Sequence, residues 1–381
     1  MIKNLTQYLA AAQQVKESIN TELMGIQSNA TKLGQFLVSA SNRHRFLPTV
    51  EIEDMDFYKK ILFNRHFSKA IESQTDYQLI NSITEVEGDT AFLNEIDKKP
   101  YIFSTFHYGP MGAIAIWLQC TAGFNLSMLA ISEGVSREML HKDAYSGFEV
   151  IPANAPDVML RMLHKLREGK SLQVTVDGMW GVTKDEERKS FDRIQFLEHT
   201  YCCKKGIPLL SYSSGVPIIP VIARRDPLGK IILHFDSPIY PDRKTSKHVF
   251  VTQTLQKCYD LFTKILMKHP DQWEFWMMID QLFEETKQEQ VKPRITFQNF
   301  LKLFRDGKYR FNRENYEICN LEGKKAYIFN RKTKNCFGVS KNLSQYLSVL
   351  PVEGKEIKVI KKQINKTLLT DLIDRKVLIV T

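Results

Sequence analysis

An α/β protein, with a mixed, mainly parallel sheet flanked by helices, is expected on three grounds. Helical spacing dominates the first 95 or so residues. From Pro100 onward, short apolar runs bounded by turn residues alternate with helical runs, the pattern of strands joined by crossover helices. The last 89 residues place three short strands in a row before any helix, so a small α+β unit closes the chain. A length of 381 residues allows one to three domains. The expected division is an N-terminal helical segment at 1–83, an α/β domain at 84–285 and a basic domain at 293–381.

In the first segment Leu5, Leu9, Val15, Ile19, Leu23 and Ile26 recur at helical spacing, and Phe57, Ile61, Leu62 and Phe67 mark another helix. Such a stripe serves a core or a lid, and leaves open a peripheral, amphipathic contact with a membrane surface. Tyr101 to Phe106 (YIFSTF) is an apolar strand, followed by the helical run GAIAIWLQC. LSMLAIS is a strand and a helix starts at Ser136-Arg137. FEVIPAN is a strand with a turn, and Asp157 to Leu166 is a helix ended by Gly169. LQVTVDG, PIIPVIARR and KIILHFDSPI are strands. A long helix covers about Ser246 to Met267, and a final helix is expected at Glu274 to Glu285. EETKQEQVKP reads as a linker. Beyond it YEICNL, KAYIFN and CFGVS are strands, NLSQYLSVL is a helix opened by an Asn cap, Glu356 to Asn365 and Leu368 to Asp374 are helices, and VLIV is a closing strand. That order is the order of a winged-helix domain.

The chain is 43% hydrophobic and 25% charged, which excludes disorder and fibrous repeats. No run of 18 uncharged apolar residues exists, so a spanning helix is not expected, and the first 30 residues lack an apolar signal core. Six cysteines without a CxxC pair argue for a reducing compartment, and the expected location is cytoplasmic. From Pro293 to Thr381 there are 19 Lys/Arg against 8 Asp/Glu, while the remainder is nearly neutral. A concentrated positive surface either attracts an acidic partner or is simply a solvated face.

The sharpest chemical signal is the junction STFHYGPMGAIAIW. His107 follows a buried strand, and Gly109 and Pro110 make the turn. A histidine held there is placed to act as a general base at neutral pH, although the same position suits a structural histidine. Asp177 ends the strand LQVTV, where polar site residues emerge from an α/β sheet, and equally suits a turn before Gly178. Glu133 and Arg137 follow another strand and are candidates to orient His107 or hold an acidic group, or else form a helix-start pair. Trp180 is a candidate wall for an acyl cavity, or ordinary packing. Cys202-Cys203 beside Lys204-Lys205 is a weaker nucleophile candidate, since the run reads as a helix start with its thiols in the core. The nine histidines show no HxxxH or HxH spacing, so no metal is expected, and nucleotide-binding glycine motifs are absent.

ITEVEGDTAFLNEIDKKPYIFSTFHYG, EMLHKDAYSGFEVIP, LREGK, VTVDG, FLEHTYCCKKGIPLLSYSSGVPIIPVIARRD and HPDQWEFWMMIDQLFEE, in that order, cover about half the chain. Together they resemble the lysophospholipid acyltransferase superfamily, in particular the bacterial lipid A late (lauroyl/myristoyl) acyltransferases. The resemblance implies acyl transfer from an acyl carrier protein or coenzyme A thioester to a hydroxyl or amine, with His107 as general base and no further cofactor. Beside it, Gly109, Glu133, Arg137 and Trp180 are read from their positions as the substrate-binding residues. In that family an acid follows the histidine after four intervening positions. Here that position is Gly112, so either Asp177 substitutes for it or the chain binds acyl groups without turnover.

The phrasing YIFNRKTKNCFGVSKNLSQYL and the element order at 293–381 are similar to winged-helix peptide-recognition domains. That likeness implies docking of a peptide or carrier protein. Nucleic acid is the less favoured partner, because NLSQYLSVLP is mostly apolar and lacks a recognition helix rich in Arg, Asn and Gln. With no spanning segment expected, the favoured acceptor is a soluble intermediate or peptide of specialised-metabolite biosynthesis.

Overall fold

The structure, a computed structural model, describes residues 2–70, 75–95, 99–130, 149–178, 191–282, 307–321 and 325–381. The helices are α1 (Leu5–Leu23), α2 (Ala30–Phe46), α3 (Asp54–Ala70), α4 (Tyr77–Ser82), α5 (Met111–Ile116), α6 (Val158–Arg167), α7 (Gly206–Ser214), α8 (Lys247–Leu266), α9 (Lys341–Ser348), α10 (Ile357–Ile360) and α11 (Lys366–Asp374). Two compact units share the chain. The first comprises Met1–Gly25, Lys59–Phe275 and Ile279–Glu284, and the second Ile26–Tyr58, Trp276–Met278 and Glu285–Thr381.

The first unit is α/β. Its strands are β1 (Thr84–Gly88), β2 (Ile102–Thr105), β3 (Leu126–Ala130), β4 (Glu149–Pro152), β5 (Ser171–Thr175), β6 (Phe191–Phe196), β7 (His199–Lys204), β8 (Ile218–Arg225) and β9 (Ile231–Phe235). Seven of them form one sheet in the order β1-β9-β8-β2-β5-β3-β4, and β6 and β7 pair separately. Every pairing in the large sheet is parallel except β8 with β9.

β2 lies between β5 and β8 and is buried along its whole length. On one side Phe103 meets Phe92 and Phe124, with ring centroids 5.8 and 5.1 Å away. On the other, Phe106 stacks on Phe262 of α8 at 3.9 Å. A strand covered on both faces needs apolar residues at successive positions, which is why YIFSTF shows no polar alternation.

Several elements depart from the sequence expectation. Thr84–Gly88 is a strand inside the stretch read as helical; it lies at the edge of the sheet, where polar residues suffice. Cys202 and Cys203 lie in β7, not at a helix start. The β6–β7 loop is Leu197-Glu198, with φ of 49° and 63°, so two side-chain-bearing residues occupy the left-handed region that a tight hairpin demands. Replacing the exposed Glu198 with Gly is expected to stabilise the first unit by about 1 kcal/mol, read as greater hydrogen-exchange protection of its sheet amides in urea.

The final helix at Glu274 to Glu285 is replaced by 3-10 turns at Glu274–Met277 and Ile279–Gln281. The Glu274 N–H donates to the His107 carbonyl at 3.2 Å instead of to a preceding turn. Its neighbour Trp273 forms a bridge with Tyr108. These backbone groups tie the closing segment to the β2–α5 loop.

The second unit contains two three-stranded antiparallel sheets. One is β11 (Tyr316–Asn320), β12 (Lys325–Asn330) and β13 (Cys336–Ser340), in that order. The other sets β10 (Lys308–Phe311) between β14 (Lys355–Glu356) and β15 (Leu378–Val380). Leu343 and Leu347 of α9 and Leu369 and Leu372 of α11 fill its core. Ser340, not Asn342, caps α9, with its hydroxyl accepting from Leu343 N–H at 3.2 Å. Of the helix expected over Glu356 to Asn365, Ile357–Ile360 forms α10; Glu356 pairs with β10 instead, and turns follow at 361–364. Among the described residues no helix is long and apolar enough to cross a membrane.

Candidate active site

Strands β2 and β5 run parallel in register, with Thr105 opposite Thr175. The Val176 N–H donates to the Thr105 carbonyl at 2.7 Å, which ties the two strand ends together. His107 and Asp177 each lie two residues past that pair, so the register alone brings them side by side at the carboxyl edge of the sheet, where α/β proteins build their sites.

The contact is specific. His107 Nδ1 is 2.8 Å from Asp177 Oδ1. The His107 backbone N–H donates to the same carboxylate, at 2.9 Å to Oδ2. Trp273 Nε1–H donates to Oδ2, also at 2.9 Å. The Asp177 side chain is 0% exposed and the His107 side chain 22%. A carboxylate removed from water is costly unless its lone pairs are used, and three N–H donors use them here. Because a carboxylate only accepts, Nδ1 carries the proton and Nε2 the lone pair. The imidazole stacks on Phe275, with centroids 4.7 Å apart, so its plane is fixed as well as its tautomer.

The loop after β2 is pinned from beneath. Gly109 N–H donates to the Gln272 carbonyl at 2.9 Å, and the Tyr108 hydroxyl to the His269 carbonyl at 2.8 Å. Gln272 clamps Arg225 through both backbone groups, each at 2.8 Å. The buried Arg225 guanidinium in turn holds Asn64 and Ser68, and Ser68 donates to the Gly109 carbonyl at 3.3 Å. Gly109 has φ +53°, and a Cβ there would lie 2.4 Å from the Ala223 carbonyl oxygen. Gly109→Ala is therefore expected to cost about 2 kcal/mol or more and to displace His107, measured by urea unfolding together with loss of activity.

The structure thus brings His107, Gly109 and Asp177 together. Glu133, Arg137 and Trp180 lie outside the described residues. A side chain at Gly112 would meet open space beyond its own helix, and the carboxylate that reaches the His107 ring is Asp177, just past β5. Cys203 is buried, and burial pushes its thiol well above the ordinary range, opposite to what a nucleophile needs. Tyr201 and Tyr259 are buried near Asp177; burial raises both phenols, helped by the Asp177 charge at Tyr201 and by Tyr201, Cys203 and Asp177 at Tyr259.

No local pattern marks Trp273, Gln272 and Arg225 as site-builders; the first two sit in HPDQWEFW and the third in VIARRD, inside the segments that carry the resemblance. No protein-family model and no curated protein matches the chain.

Proposed function

We propose that the first unit is an acyltransferase that moves a fatty acyl group from an acyl carrier protein or coenzyme A thioester to a hydroxyl or amine. The observation that carries this reading is the buried Asp177 carboxylate on His107 Nδ1, at the end of two parallel strands. His107 Nε2 takes the proton of the acceptor, whose oxygen or nitrogen attacks the thioester carbonyl. As the tetrahedral intermediate collapses, the C–S bond breaks and the thiolate leaves, protonated by the imidazolium. Asp177 holds the ring in the reactive tautomer and stabilises its charge, the role of a carboxylate in any His–acid dyad.

The acceptor we favour is a soluble intermediate or a peptide. Residues 293–381 of the second unit, read as a winged-helix-type domain, would dock that peptide or the carrier protein; the excess of 11 positive charges in this stretch suits an acidic carrier. Peripheral contact with an anionic membrane draws on the same charge. The competing reading, an acyl-binding protein without turnover, rests on Gly112. It loses force because the family's missing acid has a substitute within hydrogen-bond distance of the ring.

The test is thiol release from acyl-CoA and acyl carrier protein donors, followed with purified protein and a panel of amine and hydroxyl acceptors. His107→Ala is expected to lower the rate by about 10²- to 10⁴-fold. An unchanged rate in that variant would remove the mechanism.

A further inference from the structure

The second unit holds a cavity of about 370 Å³ bordered by β11, α9 and the end of β10, a volume in the range of small-molecule sites. Its walls carry three basic side chains, His44, Arg313 and Arg331, against one carboxylate, Glu317. That carboxylate is already committed. It lies 2.9 Å from His44 Nδ1 and is paired with Arg331. Arg331 is spent in turn, donating to Ser41 Oγ at 3.1 Å and to the Arg313 carbonyl at 2.9 Å.

Arg313 is different. Its Nη2 donates to the Ser348 and Leu350 carbonyls, at 2.7 and 2.8 Å, at the C-terminal end of α9. Its guanidinium lies 5.9 Å from the Phe311 ring centroid. These contacts fix the group while using one nitrogen. Among the described residues no protein acceptor meets its Nε or Nη1. A guanidinium held in place with donors to spare is a preorganised anion site, unlike a loose lysine on a solvated face.

The far wall is equally suited to a guest. Leu343 and Leu347 turn the apolar side of α9 into the core, while Ser344, Gln345 and Ser348 line the cavity. The Gln345 amide supplies a neutral donor, the Ser344 and Ser348 hydroxyls donate within α9 to the Lys341 and Gln345 carbonyls, and Phe311 and Tyr316 supply apolar surface. His44 adds to the positive field. Burial opposes its charge, but the bonds to Asp54 and Glu317 outweigh burial and push its pKa up to about 9.

We propose that this cavity binds a small anionic molecule carrying a carboxylate or phosphate, with the anion on Arg313 and the remainder against Phe311 and the serine face of α9. The site is separate from the His107–Asp177 pair and does not depend on acyl transfer.

The test is calorimetric titration of the full chain with citrate, with inorganic phosphate and with adenosine monophosphate, at constant ionic strength and with chloride as the control. Saturable binding of at least one probe is expected, and the arm that binds tells carboxylate from phosphate. Arg313→Gln should weaken it at least tenfold. Because that change also removes bonds at the end of α9, a second variant is needed. Ser348→Phe, on the exposed rim, obstructs the cavity while leaving every charge in place. It should weaken binding by a similar factor with an unchanged thermal midpoint. No saturable binding of any probe, or equal affinity in wild type and Ser348→Phe, would overturn the proposal.

Discussion

Asp177→Asn is expected to reduce acyl transfer by about 10³-fold, or about 4 kcal/mol of barrier, with little change in KM for the thioester. The carboxylate accepts from three N–H groups: the His107 backbone, His107 Nδ1 and Trp273 Nε1. An asparagine offers one oxygen and one NH2 in the same volume. The NH2 must then face one of those donors. If it faces the ring, His107 rotates its proton to Nε2 and loses the lone pair that abstracts the acceptor proton. If it faces Trp273, the buried indole N–H loses its acceptor, at about 1–3 kcal/mol of stability. Either way no negative charge remains to stabilise the imidazolium. Thiol release across a pH series separates the two effects. A merely structural loss lowers the amount of active protein at every pH equally, whereas a lost charge moves the pH profile of kcat. A rate within threefold of wild type, at an unchanged pH profile, would show that Asp177 does not serve His107.

How much of this was legible in the sequence depends on which residues carried the information locally. β2 and β5 are readable because Tyr101, Ile102 and Phe103 open the one as an apolar run, while in the other Leu172, Val174 and Val176 alternate with polar residues. Helix α8 is readable from its Ser246 cap and its buried Phe250, Val251, Thr254, Leu255 and Cys258. The β6–β7 hairpin is not readable, since Leu197-Glu198 lacks the Gly or Asn that such a turn normally advertises. The Glu274–Met277 turn misleads for a related reason: its backbone bonds go to a loop more than 160 residues earlier in sequence. With Gly112 in place of an acid, another carboxylate is expected, and Asp177 stands at a strand end. That it reaches His107 Nδ1 follows only from the β2–β5 register, and the Trp273 donor only from the fold of the closing segment. Local pattern finds the strand ends; pairing across the sheet decides which of them meet.

Raising the pH from about 6.5 to above 9 is expected to weaken the second unit by about 3 kcal/mol. His44 of α2 is held between two carboxylates, with Nε2 2.9 Å from Asp54 Oδ1 and Nδ1 2.9 Å from Glu317 Oε1. Burial works against the charged ring, yet the hydrogen bonds and charges of Asp54 and Glu317 outweigh it and lift its pKa from 6.5 to about 9. A pKa raised on folding means that the folded state holds its proton more tightly. The resulting stability is therefore complete below pH 6.5, declines between 6.5 and 9, and is absent above 9. Asp54 sets the opposite limb. Burial raises its pKa, but His44 and Arg43 lower it by more, so its contribution is present above the ordinary aspartate range and is lost as acid protonates it. Because the chain contains two compact units, a single unfolding midpoint would mix them. Hydrogen exchange of the α2 and β11 amides in urea, corrected for the intrinsic pH dependence, isolates the segment concerned. His44→Gln keeps a polar side chain but cannot titrate, so it should flatten the alkaline decline and lower stability at pH 6.5 towards the wild-type value at pH 9.5. Equal protection in the wild type at pH 6.5 and pH 9.5 would mean that the ring carries no proton at neutral pH, and the two carboxylates would then lack the cation between them.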